Sequence, residues 1–131
     1  NFKTWDTSNM LSGQNISNLV NGSINIAYDD TAKVFKLFGE VSATINANST
    51  GQVILSDSPL RPSEEITIGY AGISYLQNQP AIDFVTLIIK TNGQIAIQTW
   101  NGVGGQIKIG LFNCLYFLES FDQTIVDPSK A

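Results

Sequence analysis

The chain has 131 residues, 43% of them hydrophobic and 14% charged, with a net charge of −4 and no histidine. That length and composition fit one folded domain with a core of its own and exclude a disordered segment. Without histidine there is no Ser-His-Asp or Cys-His site and no imidazole metal ligand, so carboxylates, Lys, Tyr, Ser and Thr remain for any chemistry.

The chain does not begin with Met and is expected to be a fragment or a processed chain. Asp6–Val20 is rich in Asn and Ser, which favour turns and caps over helix interiors. Residues 1–22 therefore form an irregular N-terminal segment or linker, and residues 23–131 a β domain. Ser23–Tyr28 alternates apolar and polar residues, and a turn follows it. Val34–Asn46 is a long strand with Gly39 at a bulge. Ala47–Gly51 is a loop and Gln52–Ser56 a short strand. Pro59 and Pro62 have no N–H for a ladder, so Asp57–Glu65 is an extended corner, with the single arginine, Arg61, between them.

Ile66–Tyr75 restarts the sheet, with Ile66, Ile68 and Tyr70 on one face. Leu76–Asp83 is expected to be a loop, and Phe84–Lys90, the most apolar strand, to be central. Thr91-Asn92-Gly93 is the strongest turn signal, and Asn-Gly predicts a type I′ hairpin. Gln94–Trp100 returns antiparallel to that strand, and the Gly-rich residues 101–105 turn again. Gln106–Gly110 and Phe112–Leu118 complete the set, and the tail from Glu119 is expected to fray. About eight strands with short turns and no crossover helix predict an all-β fold. The expected architecture is a single-domain antiparallel β-sandwich or jelly-roll-like barrel.

The seven basic residues are scattered through the sequence, which excludes the clustered footprint of a nucleic-acid binder. The apolar run near Leu115–Leu118 is far short of the ~20 residues a membrane span needs, so no membrane insertion is expected. No signal peptide is visible. Cys114 is the only cysteine, so no internal disulfide forms. In its run, "LFNCLYFL", it is expected to be a small buried hydrophobe.

The order of these signals carries a resemblance. A Trp near the start is followed by Asn-Gly and an alternating strand, then by "FKLFGEV", a Gly loop and a short strand. Next come the corner "PLRPSEE", the hairpin Ile89–Ile97, a Trp, and a last aromatic strand. Over Trp5 to Leu118 this order resembles the C-terminal domains of tail and baseplate proteins of phages that infect Gram-positive bacteria. These are the heads of receptor-binding proteins and related carbohydrate-binding modules. Leu60-Arg61-Pro62-Ser63 matches the end of their "LPxGYRPS" corner, whereas Ser58-Pro59-Leu60 replaces the usual Gly-aromatic pair. The resemblance implies a homotrimeric β head at the phage tail tip or baseplate, attached to other tail proteins. It would hold host cell-wall polysaccharide and use no cofactor.

A sugar site needs an aromatic face for the C–H side of the ring, with amides and carboxylates for the hydroxyls. Trp100, at a strand end before a Gly-rich loop, is the first candidate, with Gln98 and Asn101 as polar partners. The alternative for Trp100 is a cap on the core. Asp83 is the candidate carboxylate or a turn cap, and Tyr70 a further candidate or a core aromatic with a polar tip. Arg61 either contacts the ligand or forms a salt bridge with Asp57, Glu64, Glu65 or a partner chain. Trp5 is expected to pack against the barrel or a neighbouring subunit.

Glu40, Asp57, Glu64, Glu65 and Asp83 are the carboxylates available to a glycosidase. Adjacent Glu64 and Glu65 point to opposite faces of an extended chain, and no acid–base couple stands out, so a non-catalytic role is favoured. A structural knob without a ligand is the other alternative.

Overall fold

The computed structural model describes residues 2–7, 16–17, 24–46, 52–76, 79–99 and 105–122. Nine strands lie among them: β1 (Lys3–Trp5), β2 (Ile16–Ser17), β3 (Ile24–Asp29), β4 (Val34–Ile45), β5 (Gln52–Leu55), β6 (Ile66–Leu76), β7 (Gln79–Ile89), β8 (Ile95–Thr99) and β9 (Gly105–Phe117). Every pairing is antiparallel, and the described residues contain no helix. The strands run in the order β1-β3-β4-β9-β6-β7-β8-β5, with β2 also on β4. β9 meets β6 through only three residue pairs, Ile73–Tyr75 against Gln106–Lys108. The fold is thus two antiparallel sheets joined along a short seam.

The period-two pattern explains which faces are buried. Ile24, Ile26 and Tyr28 of β3 and Phe35, Leu37, Val41, Ala43 and Ile45 of β4 line one side of the core. Val85, Leu87 and Ile89 of β7 and Ile95 and Ile97 of β8 line the other, in one continuous cluster. The N-terminal segment, expected to be irregular, supplies β1, and Trp5 is buried in this core. Thr7 adds a buried hydroxyl that donates to Ile24 O at 2.5 Å.

Gly39 sits where the β4–β9 ladder slips, with φ of 100°, so the expected bulge position holds. The extra residue is on β9: Gly39 pairs with Leu111, but Leu37 pairs with Cys114. The slip reverses the alternation of β9. Ile109 and Leu111 are buried, whereas further along Leu115 and Phe117 are exposed. Cys114, expected to be buried, is exposed beside this bulge. Its apolar run supplies both faces of a strand instead of filling the interior.

Three further expectations are corrected. Of the expected loop Leu76–Asp83, Leu76 and Gln79–Asp83 are strand, because β7 begins at Gln79 and pairs with β6 from there, and residues 77–78 lie outside the described residues. Pro80 is tolerated near the start of a strand, where its missing N–H costs least. The turn before β8 is a three-residue loop in place of type I′. Gly93 N–H donates to Lys90 O at 3.0 Å, Lys90 N–H donates to Gln94 O at 2.9 Å, and Gly93 alone in the loop has positive φ. This is the pattern of a type I turn closed by a left-handed glycine. The tail does not fray from Glu119, since Phe121 is buried and its ring stacks on Tyr28 at 5.7 Å.

Candidate functional site

The two regions that contain sequence-predicted site residues differ in kind. The first is the Asp57–Glu65 corner. Ser58, Pro59, Leu60 and Pro62 are buried, and the Arg61 guanidinium is folded back on the chain. Its Nη1 donates to Ser58 O at 2.5 Å and to Leu60 O at 2.9 Å, and its Nη2 donates to Asp122 Oδ2 at 3.2 Å. Asp57 Oδ1 stands 3.6 Å away. Arg61 thus pairs with Asp57, as one alternative expected, and with Asp122, but the described ion pairs do not include Glu64 or Glu65. Ser58 Oγ donates to Gly93 O at 2.8 Å, which ties the corner to the β7–β8 turn. Ser63 binds the carboxylate of Glu119 and holds it below the usual carboxylate range. The guanidinium is committed to structure.

The second region is the outward face of β6, β7 and β8. Thr86 pairs with Gly69 on one side and with Gln98 on the other, so the three form a row across the sheet. One pleat further along β7, Phe84 pairs with Ala71. Alternation puts Ile82, Phe84 and Thr86 on this same face, where Thr86 is itself buried at 5% exposure. Phe84 is 55% exposed and Ile82 is exposed as well, while Gly69 and Ala71 leave the neighbouring strand low. Nothing lies within 4 Å of a Cβ built on Gly69. Gln98 is half-buried at the end of the row, and Thr67 is exposed on β6. The result is an aromatic ring beside a shallow floor of small side chains, with the Thr67 hydroxyl and the half-buried Gln98 amide on the same face.

Of the predicted residues, Gln98 belongs to this face. Trp100 and Asn101 follow β8 directly in sequence and lie outside the described residues. Asp83 pairs with Gly72 in the β6–β7 ladder, and its side chain also lies outside what is described. Tyr70 lies on the opposite face, in the core, at 3% exposure. Burial, and then its neighbour Tyr116, push its phenol above the usual value. Arg61 is at the corner. The structure therefore brings neither Tyr70 nor Arg61 to the face of Gln98.

Phe84 and its small neighbours were missed because "FVTLIIK" looks like a strand buried on both sides. The available signal was Thr86 inside that strand, opposite the small residues of "IGYAG". No family model, curated protein or solved structure matches the chain.

Among the described residues, no group of three His, Cys, Asp or Glu side chains could hold a metal, and no helix is long and apolar enough to cross a membrane.

Proposed function

We propose that this chain is a non-catalytic carbohydrate-binding head of a phage tail receptor-binding or baseplate protein. In this reading it is a β-sandwich that assembles as a homotrimer at the virion tail tip and recognises host cell-wall saccharide. The observation that carries it is Phe84, a large ring 55% exposed in mid-sheet on the face that also holds Thr67 and Gln98. Large exposed apolar groups clustered on one face of a soluble domain mark interaction surfaces. A ring next to low, small side chains accepts the C–H face of a sugar, and amide and hydroxyl groups suit its hydroxyls. The order of sequence signals described above supports the phage tail assignment. Trp100 and Asn101, next to β8 in sequence, remain candidates for the same face.

The test is calorimetric titration with purified cell-wall polysaccharide, comparing wild type with Phe84→Ala and Trp100→Ala. Each anchor should cost about 2 kcal/mol of binding while the fold is kept. A wild-type protein that binds none, or two variants that bind fully, would overturn the reading.

A second reading, a structural knob without a ligand, is favoured by the outward face of β1, β3, β4 and β9. There Phe2, Leu115 and Phe117 are exposed around Lys36, whose Nζ lies 4.7 Å from the Phe2 ring centre. A trimer that binds no saccharide, but dissociates on Phe117→Asp, would support the knob.

A further inference from the structure

β9 ends at Phe117, and residues 118–122 then cross to a different part of the molecule. Leu118 N–H donates to Lys33 O at 2.9 Å, at the end of the β3–β4 turn. Beyond it, Leu60 and Phe121 form an isolated antiparallel bridge. Its backbone bonds run from Arg61 N–H to Ser120 O at 3.3 Å and from Asp122 N–H to Pro59 O at 2.8 Å. Ser120 Oγ adds a bond to Arg61 O at 2.6 Å. Two apolar side chains, Leu118 and Phe121, are the buried anchors. The polar bonds lie at the rim, where Glu119 and Ser120 are exposed.

This attachment differs from the ladders. Three backbone bonds, the side-chain bonds of Glu119, Ser120 and Asp122 at the rim and two apolar anchors hold five residues, whereas β6 and β7 pair along eleven positions. Segments with few buried contacts and solvent-exposed hydrogen bonds open at lower free energy than the core. We propose that residues 118–122 are a strap that undocks from the corner and the β3–β4 turn as a unit, while both sheets stay paired. Undocking would uncover Leu60 and the Tyr28 ring and leave Arg61 without Asp122. The strap is thus a built-in opening at the margin of the core, and it does not depend on any saccharide role.

Native-state hydrogen exchange on the full chain, followed by NMR at increasing urea, tests this. The reporters are the amides of Arg61, Leu118 and Asp122, the three donors of the attachment. They should exchange at least about tenfold faster than the β7–β8 ladder amides, with a much shallower urea dependence. Phe121→Ala should speed those three further and leave the ladder unchanged. Should that variant fail to fold, Ser120→Ala removes only an exposed hydroxyl's bond and should show the same selectivity. Exchange of the three reporters at the rate and urea slope of the ladder would overturn the strap, as would a variant that speeds all amides equally.

Discussion

The Arg61 corner and the Phe84 face are both rich in groups suited to binding, and they use them in opposite ways. At the corner Ser58 and the Arg61 guanidinium are turned onto the chain itself. The guanidinium meets two carbonyls and two carboxylates, and Ser58 and Ser63 each have a named partner. On the Phe84 face the ring is presented outward over small residues. A lone arginine in a sequence is thus a poor guide to binding when its neighbours can satisfy it. An arginine between prolines is pre-organised to bind its own chain.

Two glycines give the largest contrast between these regions. Gly93 has φ of 86°, and a Cβ built on it would stand 1.9 Å from Arg61 Nη1 and 2.5 Å from Ser58 O. Gly93→Ala should cost about 3 kcal/mol in chemical denaturation, from backbone strain plus displacement of the guanidinium. Gly69→Ala, with open space around it, should stay within about 0.5 kcal/mol of wild type. Equal effects at the two sites would show that the corner is not the tighter region.

Arg61→Ala comes next. It strips charged donors from Ser58 O and Leu60 O in a partly buried site, and a loss of about 2 kcal/mol is expected. A loss near zero would mean that water replaces the guanidinium freely. Tyr70 gives an alkaline test of the core behind the Phe84 face. Its phenol is raised in the folded state, so its stabilisation is complete below the usual phenol value near 10 and is lost as pH rises beyond it. Melts should fall above that pH, and Tyr70→Phe should flatten the fall. An unchanged alkaline slope in Tyr70→Phe would remove Tyr70 as its cause.

The smallest effect belongs to Glu119 at the corner's rim. Its carboxyl is lowered by Ser63, so its contribution is present above the ordinary carboxylate range and fades as pH drops through the lowered value. Because the pair is exposed, Ser63→Ala should produce only a slight change in the acid limb of the melt. A large change would mean that Glu119 anchors the strap far more strongly than an exposed pair does.

The sequence exposed some of this and concealed the rest for physical reasons. Alternation in Ser23–Tyr28 and Val34–Asn46 located β3 and β4 closely, because each has one buried face. Gly39 marked the bulge, since a slipped ladder favours a residue free to take positive φ. The hairpin arm around Pro80 was hidden: its pairing is made by backbone groups, and Gln, Asn and Pro favour the loop reading. Asp122 as a partner of Arg61 was also out of reach, because the two lie 61 positions apart and meet only through the fold. Of the candidate site, Gln98 was legible from its position beside Trp100. Phe84 was not, because a strand apolar on both faces does not reveal which side faces water.

The slip between Leu37 and Gly39 gives β9 one residue more than β4 needs opposite it. Upstream of it, odd-numbered residues such as Ile109 and Leu111 point inward; downstream, Tyr116 and Leu118 do. Deleting one residue within Phe112–Asn113 would remove the bulge and leave an even ladder in which Cys114, Leu115 and Phe117 keep Leu37, Lys36 and Val34 as partners. Leu115 and Phe117 would stay on the outward face and Tyr116 and Leu118 on the inward one, so the Phe121 anchor would keep its place against Tyr28. The bulge acts as a spacer in the protein itself: it is a place where β9 can lose one residue without any later residue changing partner or face.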